Sequence, residues 1–484
     1  MGNKKTIFFQ VIAISLLTFF VYFPSLTNGF IWDDDDYVIN NFSIQKTDGL
    51  KEIWFSYKTP QYYPVVFSSF WLEYKLWGLN PTGYHLINLI FHIFNALLIY
   101  AVLFKLHRPL ALIAALIFAL HPVQVETVAW ITERKNIFGA FFYLLTTLFY
   151  VRFYDSHRKK DYALSLLSFV FALLSKSITS TFVVVPILIR WWQGQKFSKR
   201  DMFQLSPFVL FGFFAGLNTA YLEIVRVGAQ GSSWSLPLLG KLVLPGKIIL
   251  FYLYKLMFPF ELIFFYPRWH IDPTGLWQWL PSVCVVLMAG FLYFYREKIG
   301  RGAFALFLCF GASLFPALGF FNVYPMIYSY VADHFQYIAS ISGIILLCGA
   351  GEFLLKRLVF ENVSFTPKTQ QLVLFLILVP VLSMLGVKSY SYSKVFENRE
   401  TLFKDVIQKN PKAWMAHNNL GMVYISRGDA RRAYDQFQET LKLKPKDCTA
   451  LNNLGNLYKA QGLWGKAKTA YQTCLESEPD FALA

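Results

Sequence analysis

The sequence predicts an all-α fold in two unlike parts: a polytopic membrane helical domain over residues 1–389 and a short helical repeat array over 390–484. Composition is the first reason. Of 484 residues, 55% are apolar and 15% charged, whereas an ordinary soluble domain carries about 25% charged residues. The second reason is an abrupt change near Gly386 to Ser393, after which the last 95 residues hold 14 Lys/Arg and 10 Asp/Glu. The third is an internal repeat confined to that tail. A wholly water-soluble globule and a disordered chain are both excluded. The formal charge of +16 would suit a nucleic-acid binder, but Lys and Arg gather between apolar runs, as they do in cytoplasmic loops of membrane proteins. No nucleic-acid partner is expected.

Lys4 and Lys5 precede an apolar run from Ile7 to Phe23 that ends in Tyr22, Phe23, Pro24 and Ser25. No small-residue cleavage site follows, so the run reads as a retained signal anchor. Further spans are predicted at 84–104, 109–121, 137–154, 161–176, 178–193, 202–220, 276–295, 302–321, 336–355 and 370–389. The stretch 237–263, interrupted by Pro237, Pro245 and Pro259, is expected to lie in the interface or re-enter. That gives about 11 spans. With the N-terminus inside, the loops Lys105 to Arg108, Arg152 to Lys160, Lys196 to Arg200, Arg296 to Arg301 and Lys356 to Lys368 are all cytoplasmic and all basic. The first acidic loop and the C-terminal array then face outside. Cys284, Cys309 and Cys348 fall in apolar stretches, and Cys448 and Cys474 lack framework spacing, so neither a disulfide scaffold nor a zinc site is expected.

In the tail, a 34-residue offset superposes Asn418-Asn419-Leu420-Gly421 on Asn452-Asn453-Leu454-Gly455, and then Tyr424 on Tyr458, Gly428 on Gly462, Ala433 on Ala467, Phe437 on Tyr471 and Pro445 on Pro479. The period and pattern resemble the tetratricopeptide repeat, a helical hairpin in which Gly and Ala allow close packing. Pro411 lies 34 residues before Pro445, so Glu397 to Asn410 is expected to be a half-repeat joining the last span to the array. About two and a half repeats leave an open end. Either the sequence is cut short or the membrane domain and a partner cover it. The array is a spacer or a groove for an extended polypeptide.

Four polar clusters fall on the predicted outer face. Trp32-Asp33-Asp34-Asp35-Asp36-Tyr37 sets four carboxylates beside the membrane edge, where raised pKa values or a bound cation are expected. It reads as a general base, with or without a divalent ion such as Mg or Mn held by Asp33, Asp34 and Glu126, or as a solvated acidic turn. The second comprises His121, Pro122, Glu126, Trp130, Glu133, Arg134 and Lys135; Glu126, Trp130 and Arg134 recur at four-residue spacing and would share one helical face to hold a polar headgroup or act as an interfacial anchor. Lys176, with Ser177 and Thr179, would suit a phosphate oxygen or simply snorkel. Asp333, His334, Gln336 and Tyr337 lie in the outer loop at 322–335.

Gly29-Phe30-Ile31-Trp32-Asp33-Asp34, Tyr63-Pro64-Val65, Trp77-Gly78-Leu79-Asn80-Pro81, Tyr84-His85-Leu86-Ile87-Asn88 and His121-Pro122-Val123 with Glu126-Thr127-Val128-Ala129-Trp130 and Arg134 resemble bacterial relatives of the transmembrane and tetratricopeptide-repeat-containing O-mannosyltransferases, of the GT-C glycosyltransferase class. The resemblance implies a hexosyltransferase of the bacterial inner membrane. It would move a sugar from a polyprenyl-phosphate carrier to an acceptor hydroxyl, such as Ser or Thr of a protein, on the outer face with inversion. It further implies Asp34 as the base with Asp33 orienting it or sharing a cation, and Arg134, Lys176, His121, Glu126, Asp333 and His334 at the donor phosphate. Where relatives carry Ala-Asp-Arg, this chain has Ala332-Asp333-His334, which removes a fixed charge from that loop. Phe258, Phe260, Phe264, Phe265 and Tyr266 would line a groove for the isoprenoid. The repeats would bind an acceptor polypeptide or a glycan-assembly partner. Two other readings are a lipid-linked saccharide transporter, which would bury its ionisable groups at mid-membrane, and a non-catalytic scaffold presenting the repeats.

Overall fold

The computed structural model describes residues 4–229, 231, 234, 236–361 and 366–479, and among these there are helices and turns but no strands. Each long apolar run forms helix, because in lipid the backbone must satisfy its own hydrogen bonds. Among the described residues, seven helical segments are long and apolar enough to cross a membrane: Lys4–Thr27, Pro81–Leu106, Ile131–Ser156, Lys199–Val225, Leu276–Phe294, Ala339–Val359 and Lys368–Phe396. The segments Arg108–Leu120 and Pro122–Ala129 bend by 54° at His121 and make an eighth if counted as one span. The expected count of about 11 is therefore not reproduced. The runs at 161–176, 178–193 and 302–321 form shorter segments, Lys159–Ser175, Ser177–Trp192 and Arg301–Ala317. At 1.5 Å rise per residue, the 17 residues of the first reach about 25 Å, less than a bilayer core of about 30 Å.

The stretch 237–263 is not among the segments long and apolar enough to cross a membrane. It contains one continuous helix, Leu238–Met257, with Pro245 inside it and Pro237 as its N-cap. Ser282 Oγ donates to the carbonyls of Leu242 and Val243, each at 3.1 Å, in the turn where proline withdraws a donor. Lys241, Lys247 and Lys255 set this helix apart from the apolar seven. The basic loop between 356 and 368 lies partly outside the described residues, as does the chain's final residue, Ala484.

Pro81–Leu106 and Ile131–Ser156 are the most enclosed of the seven. Lys4–Tyr22 packs against Pro81–Leu106, Ala111–Leu120 and Pro367–Ser393. The short helices Phe42–Gln45 and Gly49–Phe55 of the loop at 28–63 pack on each other and on Pro64–Trp77.

In the tail, Trp414–Ser426 pairs with Ala430–Leu443 and Cys448–Ala460 with Trp464–Ser477, two successive hairpins. A Cβ on Gly421 would come within 2.5 Å of the Phe437 ring, and one on Gly455 within 2.5 Å of Tyr471. That is why glycine faces an aromatic in both repeats. The half-repeat is the helix Arg399–Lys409, capped by Asn398 in a reciprocal pair with Thr401. Cys448 and Cys474 form a disulfide across the last hairpin. This single bridge is no scaffold, and its partners come from facing helices, a proximity that spacing along the chain does not reveal.

Candidate active site

Asp34 and Asp33 part company at the acidic turn. Asp34 is fully buried. Its Oδ2 accepts from Ile31 N–H at 2.9 Å, and its Oδ1 accepts from Thr132 N–H at 2.9 Å and from the Thr132 hydroxyl at 2.6 Å. Three donors occupy the carboxylate, pinning the turn to the start of the segment Ile131–Ser156. Burial pushes the Asp34 carboxyl up to about 7 against those hydrogen bonds. Asp33 is only partly buried and lies within electrostatic reach of Lys135, Glu133, Asp36 and His334. Burial pushes it up to about 6, with Lys135 pulling the other way. The carboxylate turned toward the other charged groups is thus Asp33, and Asp34 has a structural anchor's surroundings.

The second cluster divides for a reason visible in the backbone. The helix Val125–Ala129 ends at Trp130, a single tight turn covers Ile131–Glu133, and a new helix begins at Arg134. The four-residue spacing from Glu126 to Arg134 therefore does not place them on one face. Arg134 is fully buried, with Nε to Asn88 Oδ1 at 2.8 Å, Nη1 to Ser69 Oγ at 3.1 Å and Nη2 to the Tyr84 carbonyl at 2.6 Å. Nη1 also pairs with Glu73. Its guanidinium is enclosed by protein, so the structure does not bring it to the cluster. His121, which caps the bend, is also enclosed: Nε2 meets the Leu256 carbonyl at 3.0 Å and Nδ1 accepts from Val123 N–H at 3.4 Å.

What does converge is Glu126, Glu133, Lys135, Asn136, Lys176 and His334. His334 Nδ1 donates to Glu126 Oε1 at 2.6 Å, and its Nε2 stands 3.9 Å from Glu133 Oε1. Lys135 Nζ lies 2.9 Å from Glu133 Oε1, and Lys176 Nζ lies 3.8 Å from Glu133 Oε2 and 2.7 Å from Asn136 Oδ1. Asn136 also donates to the His334 carbonyl at 2.8 Å. Glu133 is fully enclosed, while the side chains of Lys135, His334 and Lys176 keep 11%, 10% and 14% exposure. Two lysine ammonium groups and the His334 imidazole thus reach the edge of a buried carboxylate hub, with Asp33 within electrostatic reach. Lys135 also sits 5.1 Å over the Tyr37 ring.

Asp333 turns the other way. It is fully buried and accepts from Tyr266 OH at 3.1 Å. Burial drives its carboxyl well above the usual range, and Glu126 adds to this. The metal set of Asp33, Asp34 and Glu126 is not assembled: Asp34 is filled by N–H and O–H donors and Glu126 by His334. Among the described residues no three His, Cys, Asp or Glu gather as an ion would require. Phe264 and Tyr266 are buried, and Phe265 packs 5.2 Å from Trp32, so these three belong to the core instead of lining a lipid groove. A polar cavity of about 700 Å³ opens beside the turn, lined by Asp36, Asn40, Ser43, Lys46, Glu52 and Arg226 among others.

Glu133 and Lys135 belong to the second polar cluster of the sequence but carry no assigned role there, and Asn136 is not among the sequence candidates. Their signal was the run Glu133-Arg134-Lys135-Asn136 itself, three charged side chains and an amide at the mouth of an apolar helix, read with the wrong phase.

Residues 58–217 match the dolichyl-phosphate-mannose-protein mannosyltransferase family, and residues 449–481 match the tetratricopeptide repeat. A protein O-mannosyl-transferase of Caenorhabditis elegans is 24% identical over 477 residues, which cover 90% of this chain and 63% of that protein. Protein O-mannosyl-transferase TMTC3 of Homo sapiens is 30% identical over 142 residues, 27% of this chain and 16% of the relative. Protein O-mannosyl-transferase TMTC1 of Mus musculus is 33% identical over 149 residues, 28% of this chain and 16% of the relative. The chain thus spans less than two thirds of the length of these relatives.

Proposed function

We propose that this relative of the repeat-bearing O-mannosyl-transferases is a membrane mannosyltransferase that moves a sugar from a polyprenyl-phosphate carrier to a Ser or Thr hydroxyl of a polypeptide. The observation that carries the reading is the convergence of Lys135, Lys176 and His334 on Glu133, with Asp33 beside them. Matches to the mannosyltransferase family over 58–217 and to the named relatives support the chemistry.

A serine hydroxyl is a weak nucleophile until a base accepts its proton. Asp33 is that base. The hydroxyl oxygen bonds to the anomeric carbon, the bond from that carbon to the phosphate oxygen breaks, and the proton passes to Asp33. The leaving polyprenyl phosphate gathers negative charge, which Lys135 and Lys176 offset, with His334 held beside them by Glu126. Attack opposite the phosphate inverts the anomeric centre. Asp34 and Arg134 position: one pins the acidic turn, the other fixes the helix from which Glu133 and Lys135 project. No step is assigned to a metal ion. The polar cavity beside Asp36 is the side from which an acceptor would reach Asp33.

The outer face is the proposed location of the turn and the array. The disulfide Cys448–Cys474 supports this, since disulfides persist in oxidising compartments. A bacterial inner membrane would have its periplasm on that side. The test is purified full-length protein in liposomes with labelled polyprenyl-phosphate-mannose and Ser/Thr-containing polypeptides. Label transferred to the polypeptide supports the reading, and loss of label to water alone or no turnover with any carrier-linked sugar contradicts it.

A further inference from the structure

The acidic turn is held from both sides by the half-repeat of the tail, not by the membrane helices alone. Trp32, next to Asp33, has φ +44°, a left-handed conformation that a bulky residue adopts only where its surroundings impose it. Its ring lies against Phe265 at 5.2 Å, Phe403 at 5.9 Å, Tyr328 at 6.2 Å and Phe264 at 6.4 Å. Phe403 comes from the helix Arg399–Lys409 and is 1% exposed. Just upstream, Gly29 N–H donates to the Glu397 carbonyl at 2.8 Å, and Asn28 Nδ2 donates to the Ser393 carbonyl at 3.1 Å. Just downstream of Asp34, Asp35 pairs with Arg399. Contacts at residues 28, 29, 32 and 35 thus bracket Asp33 and Asp34.

The far side of the half-repeat is equally committed. Lys409 Nζ donates to the Leu262 carbonyl at 3.0 Å, Asn410 Nδ2 to the Phe265 carbonyl at 3.0 Å, and Tyr328 packs 5.6 Å from Trp414. Ile31, Trp130, Phe264, Phe396, Leu402, Phe403 and Met415 belong to one continuous buried cluster. An array joined through a core of this kind does not swing on a linker.

We infer that Phe403 and Arg399 are positioning residues for sugar transfer, so that the first half-repeat is an integral wall of the reaction centre and the array meets its polypeptide in a fixed relation to Asp33. The inference rests on the transfer chemistry proposed above. Phe403 sets the Trp32 backbone and hence the direction of Asp33. Arg399 neutralises Asp35, the third in a run of four carboxylates. Asp33 faces Lys135, Glu133, Asp36 and His334, and Asp36 in turn feels Asp35, so an unpaired Asp35 adds negative charge to that set.

The test uses the full chain in liposomes with Phe403→Leu, Phe403→Ala, Arg399→Gln and Arg399→Lys. A misaim of about 1 Å at a reacting group lowers rate by roughly a hundredfold. Phe403→Leu should therefore lower kcat about tenfold to a hundredfold, with KM for the carrier-linked sugar within about twofold. Arg399→Gln should move the acid limb of the rate profile to higher pH, and Arg399→Lys should restore it. Hydrogen exchange over residues 28–36 should rise in Phe403→Leu and Phe403→Ala. Unchanged kcat, pH limb and exchange in these variants would overturn the inference. If wild type transfers no sugar, the chemistry fails, yet exchange still decides: unchanged protection of 28–36 overturns the half-repeat's role and increased exchange upholds it.

Discussion

Exchanging carboxylate for amide at Asp33 and at Asp34 should produce two different failures. Asp34→Asn keeps an oxygen for Thr132 N–H and hydroxyl but turns an N–H toward Ile31 N–H, which donates to Asp34 at 2.9 Å. Ile31 is fully buried, and an unsatisfied buried donor costs about 1–3 kcal/mol. The two surviving bonds lose charge assistance, roughly half their strength, so the total reaches about 3 kcal/mol. Asp33 makes no comparable hydrogen bonds, and burial already disfavours its charged form. Asp33→Asn should leave stability within about 0.5 kcal/mol of wild type or better and lower kcat by about 10²–10⁴, or roughly 3–5 kcal/mol of barrier. Thermal unfolding in detergent and labelled transfer in liposomes, run on both variants, separate the two effects. An Asp34→Asn protein of undiminished Tm without activity, beside an Asp33→Asn protein near the wild-type rate, would refute the assignment.

Further expectations follow from the same geometry. Asp33 must be ionised to accept a proton and its value is raised to about 6, so kcat/KM should climb as pH rises through about 6 and level off above. A flat profile over about pH 5–8 would contradict its role as base. Arg134→Met should destabilise by about 3–5 kcal/mol, because it leaves Glu73 buried without its partner. Adding Glu73→Leu should recover most of the loss in a thermal melt, and no recovery would argue against a structural pair. Replacing Cys448 and Cys474 by Ser, which opens a bridge spanning 26 residues, should lower the array's stability by about 3 kcal/mol. Thiol labelling of the unreduced native chain at either cysteine would show that no bridge forms. A chelator should leave transfer unchanged, since the carboxylates suited to an ion are already engaged; rate restored by Mg²⁺ or Mn²⁺ after chelation would reverse this.

The helical class and the repeat were legible because both rest on periodicity. Gly421 and Gly455, 34 residues apart, face Phe437 and Tyr471 as the repeat implied. Span number was less legible. Hydropathy sees apolar runs, but the bend at His121 and the short segments at 159–175, 177–192 and 301–317 depend on how neighbouring helices pack. Within the candidate site, Glu126, Lys176 and His334 were singled out by residue type and by an expected outer-face position. Arg134 was placed by assuming one unbroken helix through Trp130, and the tight turn at 131–133 changes the phase, sending Arg134 to Glu73 and Glu133 to the cations. The choice between Asp33 and Asp34 turns on Thr132, 98 residues away, a contact no local pattern encodes. Arg399 with Asp35 and Cys448 with Cys474 were invisible for the same reason.

The most direct measurement is an electron cryomicroscopy structure of the full chain with a non-transferable phosphonate analogue of polyprenyl-phosphate-mannose. The account predicts the phosphonate within hydrogen-bond distance, about 3 Å, of Lys135 and Lys176, with the anomeric carbon facing Asp33. A headgroup bound elsewhere, for example in the aromatic recess of Lys247, Trp269 and Trp277, with the cluster around Glu133 empty, would contradict it.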